Sequence, residues 1–148
     1  MSRRSEQLIF AIIAVSTPAA LGVEALVRRF LLPPVVEELR EWLHPKVAPV
    51  GWALVGLAVV AIPLAFALHR RLFAFSLAHK PASMPEVERT DRSRLETLLL
   101  TTSIAQTPAL LVTMAYTFGA DPLSAQLTIA LGTLGVLVQW PALRRLGS

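Results

Sequence analysis

Gln106 places a carboxamide, with two donors and an acceptor, in the middle of an apolar stretch running from about Leu98 to Phe118. One helix backbone cannot absorb such an amide, so Gln106 is expected to face another helix, a water or a bound ion. Thr107-Pro108 follows it directly, and the same pair stands ninety residues earlier as Thr17-Pro18. The pairs belong to a longer repeat. Arg4-x-Glu6-x-Leu8 leads to Thr17-Pro18-Ala19-x-Leu21, and Arg94-x-Glu96-x-Leu98 leads to Thr107-Pro108-Ala109-x-Leu111. Where the first copy has Ser16, the second has Gln106. A proline inside a helix removes a backbone donor and pushes away the carbonyl four residues earlier, so each threonine offers a hydroxyl to satisfy local backbone. Gln139, near the end of the last apolar stretch, is a weaker polar candidate. Thr17, Pro18, Gln106, Thr107, Pro108 and Gln139 are thus the candidate polar and kink positions.

Other chemistry-bearing residues are sparse. His44, His69 and His79 flank apolar stretches and none has a partner at metal-ligand spacing, so they read as surface histidines with no metal site. Carboxylates are absent from the centres of the apolar stretches; Glu24, towards the end of the first, is the one candidate, and Arg28 one turn later is expected to pair with it. A catalytic site would have to be built from Glu6, Glu96, Asp91 and the arginines. No Gly-x-Ser-x-Gly elbow, phosphate loop or dinucleotide fingerprint is present. The expectation is a protein that is not an enzyme, with no cofactor.

The elements that must position these residues follow from hydropathy. Hydrophobic residues make up 54% of the 148-residue chain and only 16% are charged, which exceeds what a soluble fold of this size needs to hide. Four windows are nearly free of charge, at about 8–27, 50–68, 98–118 and 123–143. Each approaches the roughly 20 residues that cross a bilayer as a helix. The expected fold is a single all-α domain over 1–148, four transmembrane helices arranged as two tandem related hairpins. Between the first two spans, Val35, Val36, Leu39, Trp42 and Leu43 share a face opposite the charges, predicting a short interfacial helix at about 34–44 that closes at His44-Pro45. Lys80 to Arg94 reads as the one sizeable loop, and Ser93-x-x-Glu96 has the spacing of a capping box that starts the third helix. Gly119-Ala120-Asp121-Pro122 reads as a tight turn. Gly51 with Gly56, and Gly132-x-x-Gly135, would let helices approach closely.

Charge supplies orientation. With a cytoplasmic N-terminus, ten of the fourteen Lys and Arg residues fall inside and four outside, which predicts both termini in the cytoplasm of a bacterial-type inner membrane. The basic pI of 10.7 reflects arginines that flank spans and does not call for nucleic acid. The N-terminal stretch resembles a signal peptide. Recurrence of its pattern at Arg94 favours a retained first span instead.

From the second span through the third, residues 50–122 resemble the proteolipid (c) subunit hairpin of rotary ATP synthases. The residues carrying this are Val55-Gly56-Leu57-Ala58 with Pro63, Ala78-His79-Lys80-Pro81 at the family's cytoplasmic turn, Thr97-Leu98-Leu99-Leu100, and Asp121-Pro122. The resemblance places Gln106 where that family has its ion-carrying carboxylate. A glutamine cannot take up and release a proton, the first arm lacks an alternating glycine run and the loop is longer, so a proton-driven rotor is not implied. The functional expectation is a protein working through helix packing, in contact with lipid and with other membrane subunits or further copies of itself. The alternatives are a small transporter or channel with a path between the kinked first and third helices near Thr17, Gln106 and Thr107, and a divergent proteolipid-like subunit.

Overall fold

The computed structural model describes residues 3–31, 33–81 and 83–145, with side chains over 8–31, 33–81 and 83–139. Among these residues the chain forms four helices and no strand: α1 (Arg3–Leu31), α2 (Pro34–Ala78), α3 (Glu86–Thr117) and α4 (Pro122–Arg145). All four contain stretches long and apolar enough to cross a membrane. The side chains of Arg4, Glu6, Trp140 and Pro141 lie outside the described set.

Burial is reversed relative to a water-soluble bundle. Ala58, Ala65, Ala105, Ala109 and Ala125 are fully enclosed, with Thr97, Thr101, Ser124 and Thr128, whereas Leu8, Ile12, Phe30, Val60, Phe66 and Met114 are exposed. An exposed apolar surface of this extent needs lipid as its solvent. The hydroxyls of the enclosed threonines of α3 and α4 are satisfied by their own helices: Thr97 donates to the Ser93 carbonyl at 2.7 Å, Thr102 to Leu98 at 2.7 Å and Thr128 to Ser124 at 2.7 Å. A threonine whose hydroxyl is bonded to its own helix packs as a small side chain, which permits close approach without hydrocarbon bulk.

α2, α3 and α4 pack mutually, whereas α1 lies along α3 and α4 and makes no helix-to-helix packing with α2 among the described residues. Glycines mark the tight seams. A Cβ on Gly132 would stand 3.0 Å from that of Ala109, and one on Gly135 would stand 2.9 Å from Ile62 Cγ1, while Gly51 faces Ser124 and Ala120. Gly56, expected to join Gly51 in a seam, meets nothing and faces outward. α1 docks through Phe10 and Ala14 against Leu98 and Val136, and through Leu21 against a cluster containing Leu54, Val112 and Ile129.

Helix boundaries depart from the expectations in two places. α2 does not close at His44-Pro45: residues 34–44 form the first part of one 45-residue helix that continues through Pro45 and Pro49. The carbonyls that these prolines release belong to Glu41 and Pro45, both exposed residues. α3 begins at Glu86, immediately after Pro85, and so Ser93 is enclosed within it and starts nothing. Glu86 and Glu88 suit a helix N-terminus, and Glu88 pairs with Arg92 one turn on at 2.8 Å. The expected loop over Lys80 to Arg94 is thereby cut to the few residues between α2 and α3.

The expected tight turn after α3 is present. Gly119 has φ +106°, Gly119 N–H donates to Tyr116 O at 3.2 Å and Ala120 N–H to Ala115 O at 2.9 Å, the paired bonds of a Schellman ending. A Cβ at Gly119 would also stand 2.7 Å from the Arg40 carbonyl oxygen. Asp121 then caps α4, its Oδ1 accepting from Leu123 N–H at 3.2 Å, with Pro122 as first helical residue.

Candidate functional site

Gln106 is buried on α3 and faces another helix. Its Nε2 donates to the backbone carbonyl of Ile13 on α1 at 2.6 Å. Ser16 Oγ donates to the same carbonyl at 2.8 Å. The acceptor lies one residue before Ala14, whose carbonyl Pro18 releases. Ser16 and Gln106, which stand at corresponding places before the two Thr-Pro pairs, therefore converge on one oxygen, and Gln106 links α3 to α1. Gln139 works similarly, its Nε2 donating to Gly135 O at 3.0 Å within α4, with Thr101 O of α3 at 3.5 Å. Its Oε1 is buried without a partner.

The two Thr-Pro pairs are placed oppositely. Thr17 is fully buried with no partner for its hydroxyl, and Pro18 faces outward. Thr107 faces outward and donates to Ser103 O at 2.7 Å, while Pro108 is buried. The expectation that both threonines satisfy local backbone holds for Thr107 and fails for Thr17. Thr107 is also turned away from the α1 contact that Gln106 makes, so the three residues do not line one shared surface. A cavity of about 460 Å³ opens instead between α1 and α4 beside Pro18, lined by Leu21, Gln126, Ile129 and Thr133.

At the end of the bundle where α1 meets α2 and α3 meets α4, the expected Glu24–Arg28 pair does not form. Glu24 Oε1 is buried without a partner, and Arg28 turns to Glu37 on α2 at 3.4 Å and lies 4.4 Å above the Tyr116 ring. Arg40 organises this end. Its Nε donates to Thr117 O and its Nη2 to Tyr116 O, both at 2.9 Å, and its Nη1 to Glu37 Oε1 at 2.8 Å. The guanidinium thus satisfies carbonyls at the negative end of the α3 dipole from a neighbouring helix. His44 Nδ1 adds a bond to Gly119 O at 2.7 Å.

Sequence reasoning missed Arg40 because it laid residues 34–44 on the membrane surface with every charge turned outward. Val35, Leu39 and Trp42 are exposed and so are Glu37, Glu38 and Glu41, but Arg40 is buried. The available signal was the ending of α3 itself, whose carbonyls require donors and find no lysine or arginine in its own last turn.

The opposite end is held by Glu96, which accepts from Ser76 Oγ at 2.6 Å and pairs with Lys80. The histidines do not behave alike. His79 bonds Phe75 O at 2.8 Å, but His69, expected at the surface, is buried with both ring nitrogens unpartnered. Among the described residues no three His, Cys, Asp or Glu side chains gather as a metal site. Family models, curated proteins and solved structures gave no match to this chain.

Proposed function

We propose that this chain is a non-enzymatic, multi-pass inner-membrane protein that acts through helix packing, as a subunit or accessory of a membrane assembly or as a homo-oligomer, with both termini cytoplasmic. The observation that carries the reading is the engagement of Gln106 with the Ile13 carbonyl: the most polar mid-membrane side chain joins two helices of the same chain. The repeat supports an origin by duplication, and a divergent proteolipid-like subunit is a special case of the same reading. Purification in mild detergent, followed by mass determination and identification of co-purifying membrane chains, tests it. A defined oligomer or reproducible partners are expected. A protein that remains strictly monomeric and alone defeats the proposal.

The cavity beside Pro18 favours a second reading, passage of a small neutral solute along the α1–α4 seam. Liposome flux decides between them. Transport requires a flux in the unmodified protein that Thr133→Leu, which fills the cavity, abolishes without loss of fold.

A further inference from the structure

A second cavity, of about 450 Å³, lies where α1 and α2 approach the end of α3, lined by Arg28, Arg29, Pro33, Pro34, Glu37 and Tyr116. We propose that it binds a phosphate group, carried by a phospholipid headgroup of the adjoining leaflet or free in solution, with Arg28 and Arg29 as its ligands. The site does not depend on whether the protein has a protein partner.

Three observations carry the inference. The first is charge. Glu37 is the one carboxylate in the lining, and its Oε1 already accepts from Arg40 at 2.8 Å as well as from Arg28 at 3.4 Å. Arg40 is engaged with two carbonyls and Glu37, so it contributes charge without offering itself as a ligand. Arg28 and Arg29 against Glu37, which is itself neutralised in part by Arg40 from outside the lining, leave positive charge facing the cavity. Glu24, one turn deeper on α1, does not line it.

The second is preorganisation. Arg28 is held over the Tyr116 ring, and its side chain is only 17% exposed. Pro33 and Pro34 stiffen the opposite rim. A guanidinium fork fixed in this way matches phosphate oxygens better than a mobile ammonium does. The third is depth. Arg28 and Arg29 end the apolar stretch of α1, and Phe30 and Leu31 beside them are more than two-thirds exposed, at 71% and 74%. Guanidiniums at headgroup level flanked by outward apolar side chains suit a molecule with a phosphate and acyl chains.

Native mass spectrometry of the full chain, offered phosphatidylglycerol or phosphorus-free galactosyl diacylglycerol, tests the site. The unmodified protein is expected to prefer the phospholipid by about tenfold or more, the scale of one or two charge-assisted hydrogen bonds. Arg28→Gln/Arg29→Gln should lose that preference, while Arg70→Gln/Arg71→Gln, at the other end of the bundle, should keep it. Arg28→Lys/Arg29→Lys retains charge without the fork and should fall between. Circular dichroism checks folding, and Arg29→Gln alone, at an exposed residue, serves if the double variant does not fold. Displacement of bound lipid by millimolar inorganic phosphate, or direct binding of phosphate, assigns the site to free phosphate; lipid retained against phosphate assigns it to the headgroup. Equal binding of the two lipids, or equal losses in the two Gln pairs, overturns the proposal.

Discussion

α1 and α3 carry the same Thr-Pro pattern and bury opposite halves of it. α1 presents Thr17 to the bundle and Pro18 outward; α3 presents Thr107 outward and buries Pro108. The helices differ in station. α3 is packed by all three others, and 44% of its most apolar stretch is buried, against 17% for α1. A central helix must conceal a wide arc, so even a proline is drawn inside. A peripheral helix conceals one narrow face, and a rotation of about 100° per residue decides which member of a Thr-Pro pair falls on it. The same local sequence therefore does not fix the same environment.

Paired substitutions can break this contrast between centre and periphery. The largest effect is expected at the end of α3: Arg40→Ala strands the Thr117 carbonyl, leaves Tyr116 O only its bond from Gly119 N–H, and should cost about 3 kcal/mol in denaturant titrations in detergent. Arg28→Ala at the corresponding end of α1 removes only a 3.4 Å pair and a ring contact, and should cost under about 1 kcal/mol. Equal losses would erase the distinction. Next comes the seam beside α3, where Gly135→Val drives into Ile62 and Ala105 and should cost about 2 kcal/mol. Its counterpart Gly22→Ala on α1 meets open space and should be neutral or stabilising by up to about 1 kcal/mol.

Gln106→Leu removes the α1–α3 hydrogen bond and should cost about 0.6 kcal/mol, and at most about 1.7, the average and the maximum for interhelical hydrogen bonds in membranes. Cross-linking between cysteines introduced on α1 and α3 should weaken in this variant while α3–α4 cross-links persist. Unchanged α1 cross-linking would mean that apolar docking alone holds α1. The smallest effect is expected at Thr17→Val, which removes a buried hydroxyl without a partner and should leave stability unchanged or slightly raised. A loss above about 1 kcal/mol there would reveal a hydrogen bond that the static structure lacks.

Much of the fold was legible because hydropathy and small-residue spacing act locally. The four apolar stretches, the turn at Gly119 to Pro122 and the Gly132–Gly135 seam all follow from rules of a few residues. The candidate site was half legible. Gln106 could be singled out from its amide alone, but nothing in its neighbours names Ile13, ninety-three residues away. Residues 34–44 were read as an interfacial helix because amphipathicity sets apolar side chains against charged ones. That pattern could not show that Arg40, unlike Glu38 and Glu41, turns inward to the carbonyls that end α3.

The amino-acid sequence by itself determined that four helices form and that lipid must surround them, since backbone bonding and transfer of apolar surface are summed along the chain. Tertiary structure alone decided which faces are inside, that α2 runs on through Pro45, and that Gln106 and Arg40 answer carbonyls on other helices. Those outcomes depend on unsatisfied groups brought together from distant parts of the chain, and no local pattern encodes that meeting.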